Sequence, residues 1–140
     1  MNWHLDVSSI EERERILKDT ATLGPWYQSF NLADWLRIEA VHDGDSVLDS
    51  LDLLGFPRDF SGKTVLDVGC NAGYYSFVAK NRGAERVVAV ELDRHFVRQA
   101  QYLSTLLGLD VQFLRDDVHN VDTRLGIFDI IICSGLIYHI

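Results

Sequence analysis

Asp67-Val68-Gly69-Cys70-Asn71-Ala72-Gly73 carries the most chemical information in the chain. It continues the short apolar run Thr64-Val65-Leu66 and reads as a strand-to-helix turn with the spacing Asp-x-Gly-x-x-x-Gly. Glycine at a strand end lets the backbone turn sharply, and a ligand can approach where a side chain would block it. The helix that follows offers N–H donors at its first turn. The spacing is not the G-x-G-x-x-G of dinucleotide sites. An acidic residue two places before the first glycine is also a poor neighbour for pyrophosphate. It suits a ligand that carries an ammonium and a sulfonium. Glu91 ends the next apolar run, 22 residues after Gly69. In open α/β sheets ligands bind at the carboxyl ends of strands. A carboxylate there can accept hydrogen bonds from both hydroxyls of a ribose.

Asp116-Asp117-Val118 ends a third apolar run. A carboxylate here can accept from an adenine amino group, with the Val118 N–H reaching a ring nitrogen. Either aspartate fits, and Asp117 is preferred. A fourth run ends in Cys133-Ser134-Gly135-Leu136-Ile137-Tyr138-His139, which is expected to floor the site beside the reacting group. Tyr138 and His139 are candidates to orient a nucleophile, or His139 to act as a base. Packing roles for both are the alternative. His4, His42, His95 and His119 show no metal-ligand spacing, and no metal is expected. Cys70 and Cys133 have no base near them in sequence and read as small core residues.

These residues need elements to position them. Ser8 to about Thr20 reads as a charged helix, with Ser9 and Glu12 at capping-box spacing. Gly24-Pro25 breaks it, and the aromatic residues Trp26, Tyr27, Phe30 and Trp35 follow. Val47, Leu48, Leu51 and Leu54 recur at helical spacing, which predicts a helix over about 46–54. Beyond residue 63 the order is strand, helix, strand, helix, strand, polar link, strand. Gly83 and Gly108 stop the two helices, and Asp93 caps the second. Near-continuous apolar strands alternating with amphipathic helices predict an α/β fold with a Rossmann-like parallel sheet covered on both faces.

Composition bounds what such a fold can do. The 140 residues fit one compact domain. They include 13 Lys+Arg against 21 Asp+Glu, a formal charge of −8. That balance argues against a general nucleic-acid-binding module, which needs a basic face. A hydrophobic fraction of 47% excludes disorder. No apolar run is long enough to span a membrane, and the first residues lack the pattern of a signal peptide. A cytoplasmic location is expected. Two cysteines are too few for a disulfide framework or a cysteine zinc site.

Taken together, Val65 to Gly73, Glu91, Asp117-Val118 and Phe128-Asp129-Ile130-Ile131-Ile132 resemble the class I S-adenosylmethionine-dependent methyltransferases over about residues 63–140. The resemblance implies S-adenosyl-L-methionine as cofactor. It implies that Asp67, Gly69, Cys70, Asn71 and Gly73 hold its methionine end. It puts Glu91 and Leu92 at the ribose, Asp117 and Val118 at the adenine, and Ser134 nearby. It also implies a truncated version of the class I sheet, with strand order 3-2-1-4 and an N-terminal helical cap. The expected division is a cap over 1–60 and a cofactor-binding half over 61–140.

Within the class, Gly24-Pro25-Trp26-Tyr27-Gln28, the Tyr74-Tyr75 pair after the glycine loop and Gly135-Leu136-Ile137-Tyr138-His139 resemble the branch with the tRNA wobble-uridine carboxymethyltransferases. That branch implies Tyr138 and Trp26 at the substrate. Its members carry a lysine after the upstream tryptophan to hold the extra carboxylate of their cofactor, and here Gln28 stands in that place. A neutral amide forms no ion pair. The expectation is therefore ordinary S-adenosylmethionine, with a small-molecule or RNA acceptor. A non-catalytic binding module and a carboxymethyl-transferring enzyme are the alternatives. Class I sheets normally have seven strands, and this chain supplies four. The fourth, Ile130-Ile131-Ile132-Cys133, is apolar on both faces, so a partner chain, a second copy or the N-terminal segment is expected to cover it.

Overall fold

The computed structural model describes residue 1 and residues 3–134 of the chain, and these fall into two units, Met1–Phe56 and Pro57–Ile140. The sequence places the junction at 60/61. Phe60 belongs with the second unit because its N–H bonds to the Arg82 carbonyl at 2.9 Å and its ring is fully buried.

In the first unit, α1 (Ile10–Thr22) starts at Ser9, whose Oγ accepts from the Glu12 N–H. Glu11 and Glu12 lie in its first turn, where the helix dipole favours negative charge. The aromatic stretch then forms two strands that the sequence does not predict. β1 (Phe30–Ala33) and β2 (Leu36–Ile38) make an antiparallel hairpin that buries Phe30, Leu32, Leu36 and Ile38. Strands of four and three residues are too short for alternation to stand out. The sequence expects the first unit to be purely helical, and it is not. α2 (Gly44–Leu53) begins two residues before the predicted start, because Asp43 caps it by accepting from the Asp45 and Ser46 N–H groups.

The second unit follows the expected alternation. β3 (Thr64–Val68), β4 (Arg86–Glu91), β5 (Gln112–Arg115) and β6 (Ile130–Ile132) form one parallel sheet in the order β5-β4-β3-β6. This is the predicted 3-2-1-4 order. α3 (Tyr74–Asn81) and α4 (Arg94–Leu107) are the crossovers. α3 is buried from Tyr74 through Ala79 and ends where predicted. The Gly83 N–H bonds to the Lys80 carbonyl and the Ala84 N–H to that of Ala79, a Schellman stop built on glycine at φ 96°.

Strand alternation assigns the two faces of the sheet. Asp67 faces α3 through Ser76. Leu66, Val68, Val88 and Val90 form a cluster on the opposite face, and Val118, Val121, Leu125 and Phe128 pack against it. The sequence reads that segment as a polar link. Its 3₁₀ turns at Val118–Asn120 and Thr123–Leu125 instead aim its few apolar residues at the sheet. Arg86 anchors the segment by donating to the Leu125 carbonyl at 2.9 Å and lying over the Phe128 ring.

β6 is shorter than the predicted 128–133. Among the described residues it is an edge strand, with Ile131 64% exposed and Ile132 buried. Asp129 fixes its register. Its Oδ2 accepts from the Thr64 N–H at 2.8 Å and the Thr64 hydroxyl at 3.0 Å, and its own N–H donates to the Thr64 carbonyl. These bonds hold the Asp129 carboxyl below its ordinary pKa of 3.8. Its contribution to stability is present above that value and is lost as pH falls through the lowered one. Asp129→Ala is therefore expected to lower the urea midpoint at pH 7, and the gap to wild type should narrow as the pH is taken down from 3.8 into stronger acid. An equal gap at pH 7 and in acid would remove the carboxylate from this role. Among the described residues no helix is long and apolar enough to cross a membrane.

Candidate functional site

Because β3, β4 and β5 are parallel, their carboxyl ends meet at one edge of the sheet. The pairings Val68↔Val90 and Glu91↔Arg115 bring the glycine loop, Glu91 and the Asp116-Asp117 turn together. The loop leaves β3 bonded to β4: the Gly69 and Cys70 N–H groups both donate to the Val90 carbonyl, at 2.9 and 3.1 Å. The next amide, that of Asn71, donates to Glu91 Oε2 at 2.9 Å. Gly69, Asn71 and Gly73 all have positive φ (71°, 53° and 86°). Asparagine tolerates this conformation better than other side chains do. Asn71 Oδ1 also accepts from the Ala72 N–H at 2.7 Å, which stiffens the turn.

Gly73 closes the loop and caps α3 without a side-chain bond. A Cβ there would lie 2.9 Å from Phe113 Cζ and 3.1 Å from Phe77 Cε2. Phe77 and Phe113 meet edge to face beneath it, with ring centroids 5.6 Å apart. The loop rests directly on an aromatic floor.

Asp67 is 1% exposed, and its Oδ2 accepts from the Ser76 hydroxyl at 2.6 Å. Burial pushes its carboxyl up to about 7, and the negative field of Glu91 adds to this against the opposing Ser76 bond. The sequence sets Asp67 against the ligand's ammonium. The structure turns the side chain inward, under the loop, because α3 covers that face of β3. Cys70 is buried, and its thiol is pushed far above the range of a reactive thiolate by burial and by the fields of Asp67 and Glu91. It packs as a core residue, as expected, whereas Cys133, expected in the core as well, is exposed just beyond β6.

Glu91 is half-buried, and its Oε1 accepts from the Asp93 N–H at 2.9 Å. Leu92 beside it is 60% exposed, and its carbonyl accepts from Arg115 Nε. Asp117 Oδ1 takes the His119 N–H at 2.9 Å and lies 2.7 Å from His119 Nδ1, and these bonds hold its carboxyl low. Asp116 Oδ1 accepts from the Asp117 N–H and from Asn120 Nδ2. Both aspartates thus order their own turn. Val118 is half-buried against the sheet.

A family model described as a methyltransferase domain matches residues 65–140. The chain belongs to this methyltransferase domain family. The match spans the glycine loop, Glu91 and Asp117. Among curated proteins, the chain is similar to tRNA U34 carboxymethyltransferases. It is 28% identical over 131 residues to that of Campylobacter curvus, covering 94% of this chain and 43% of that protein. It is 30% identical over 137 residues to that of Sulfurovum sp., covering 97% and 42%. The chain therefore spans less than half the length of these relatives. Among solved structures, the N-terminal domain of EvdMO1 with SAH bound superposes with a TM-score of 0.71 at 22% identity, covering 91% of this chain and 56% of that one. At that identity the likeness shows the fold.

The sequence singles out four further residues in this methyltransferase domain chain. Ser134 is exposed just after β6. Tyr138 and His139 lie outside the described residues. Trp26 is in the Met1–Phe56 unit, buried, with its indole N–H donating to the Thr20 carbonyl at 2.9 Å and its ring edge-on to Phe30. Sequence reasoning missed Ser76, Phe77, Phe113 and His119. Ser76 had one signal, a hydroxyl on the inner face of α3. The others act through contacts that no local spacing encodes.

Proposed function

We propose that this chain is the cofactor-binding part of an S-adenosyl-L-methionine-dependent methyltransferase, acting on a small-molecule or RNA acceptor. One observation carries the reading. The loop amides of residues 69–71 are committed to the Val90 carbonyl and the Glu91 carboxylate. A phosphate placed on them would meet Glu91. The site suits a ligand with a ribose and a positive charge and opposes a dinucleotide.

When bound, the cofactor supplies a methyl group on a sulfonium, set for in-line displacement. The chain supplies position. Glu91 accepts from the ribose hydroxyls, and Leu92 offers an apolar face to the purine. Asp117 and Val118 address the adenine edge. The inward charge of Asp67 acts on the ammonium end from beneath the loop. Tyr138 and His139 are the candidates to orient the acceptor, and Ser134 is a candidate at the cofactor.

Calorimetry tests the reading. S-adenosylhomocysteine is expected to bind and NAD is not; NAD binding alone would overturn it. Glu91→Ala is expected to weaken S-adenosylhomocysteine binding about 100-fold, the size of one or two charge-assisted hydrogen bonds.

The names of the curated relatives favour a second reading, carboxymethyl transfer to the tRNA wobble uridine. Gln28 weighs against it, because it stands where the resemblance expects a lysine, and a neutral amide forms no ion pair with an extra carboxylate. Tighter binding of the carboxylated cofactor than of S-adenosylmethionine would favour it. The proposal includes a cytoplasmic location and a cover for β6, by further sheet or by a second chain. A monomer in sedimentation with β6 amides exchanging freely would count against that cover.

A further inference from the structure

We infer that a ligand cation on the glycine loop drives a proton off buried Asp67 into solvent, so that cofactor binding tightens as pH rises through neutrality. This coupling rests on the proposed function and adds to it a charge state that changes on binding.

Asp67 is enclosed on every side. Its neighbours across the sheet are Ala89 on β4 and Ile132 on β6, which carry no charge. From α3 comes Ser76, whose hydroxyl lies 2.6 Å from Asp67 Oδ2 and favours the ionised form. A hydroxyl both donates and accepts, so this pair holds either a carboxylate or a carboxylic acid without moving a heavy atom. From the end of β4 comes Glu91, whose negative field opposes a second anion. Cys70 on the loop stays a neutral thiol. Among the described residues no cation acts on Asp67. Burial without a counter-ion outweighs the Ser76 bond and holds the carboxyl up at about 7.

A ligand ammonium brings the missing counter-charge. An opposite charge nearby favours the ionised form, and the buried setting screens that field little. The O–H bond of the acid breaks, its proton passes to bulk water, and the Ser76 hydroxyl donates to the carboxylate that remains. The ligand keeps its own protons. Below 7 the free chain holds a proton that binding must expel, so affinity is lowered. Above 7 that proton is already gone. Affinity should therefore fall about tenfold from pH 8 to pH 6.

Calorimetry at pH 6, in two buffers of different ionisation enthalpy, counts the protons. S-adenosylhomocysteine should release about one proton per site from the wild-type chain. 5′-Methylthioadenosine, which has the nucleoside but no ammonium, should release none. Asp67→Asn should release none with either ligand, and its affinity for S-adenosylhomocysteine should be level between pH 6 and pH 8. Any other titrating group at the site is common to both proteins and drops out of the comparison. Equal release with both ligands, or the same release from Asp67→Asn, would overturn the coupling.

Binding of S-adenosylhomocysteine without proton release would overturn the coupling and leave the proposed function standing. Failure to bind either ligand would end both. The free chain gives a check that needs no ligand. Its Asp67 carboxyl carbon should titrate near pH 7 by NMR, and titration near the ordinary 3.8 would overturn the coupling.

Discussion

Asp67→Asn is expected to stabilise the protein at pH 8 and to change it little at pH 4. The Asp67 carboxyl is pushed up to about 7 from 3.8, chiefly by burial. Below 3.8 both folded and unfolded chains hold the proton, and the group costs nothing. Between 3.8 and about 7 the unfolded chain has released a proton that the folded one keeps, so stability falls as pH rises. Above 7 the cost is complete. Three pKa units correspond to about 4 kcal/mol. Asparagine has no charge to bury, and its amide oxygen can still accept the Ser76 hydroxyl. Its NH₂ group adds a desolvation cost of about 1 kcal/mol. The net gain at pH 8 is about 2–4 kcal/mol, or on the order of 10 °C in melting temperature. Thermal melts of both proteins at pH 4 and pH 8 check this, and a pH-independent difference would refute it. S-adenosylhomocysteine binding should weaken in the same variant. A charge that destabilises the fold and is nevertheless present beneath the loop fits a functional role there.

Gly73→Ala is expected to be considerably more damaging than the same change at Gly108. Two costs add. The left-handed backbone at φ 86° disfavours any Cβ by about 1 kcal/mol. The new Cβ also stands 2.9 Å from Phe113 Cζ, and Phe113 is held by Phe77. Overpacking of this kind costs about 1–3 kcal/mol. The total is about 2–4 kcal/mol, together with loss of ligand binding as the loop shifts. Gly108→Ala is the control. Its φ is 63°, but nothing lies within 4 Å of the added Cβ, so only the backbone term of about 1 kcal/mol applies. Urea denaturation of both variants measures the difference. Equal losses would mean that the aromatic floor yields at no cost.

The second unit was more legible in sequence than the first. Its strands are apolar runs bounded by Gly69, Gly83, Asp93 and Gly108, each of which has a local backbone reason to stand where it does. The hairpin of the first unit was not legible, because three or four residues carry too little periodicity. The segment 116–128 misled for a related reason. Val118, Val121, Leu125 and Phe128 are scattered among charges, and only the 3₁₀ turns collect them on one side. At the site, the identity and order of Asp67, Gly69, Gly73, Glu91 and Asp117 were readable. What each carboxylate faces was not.

The sheet order was what the family resemblance implied, while the sequence by itself determined the alternation of elements, the glycine loop at a strand end and the acidic residue that ends the next strand. These follow from local rules: hydrophobic period, backbone preferences of glycine and the handedness of crossovers. Only the tertiary structure decided that Asp67 turns inward to Ser76, that Asn71 and Asp93 hold Glu91 from either side, and that Phe113 lies under Gly73. Each of these joins residues on different elements. Their distances are fixed by strand register and by which face a helix covers, and no spacing along the chain contains either.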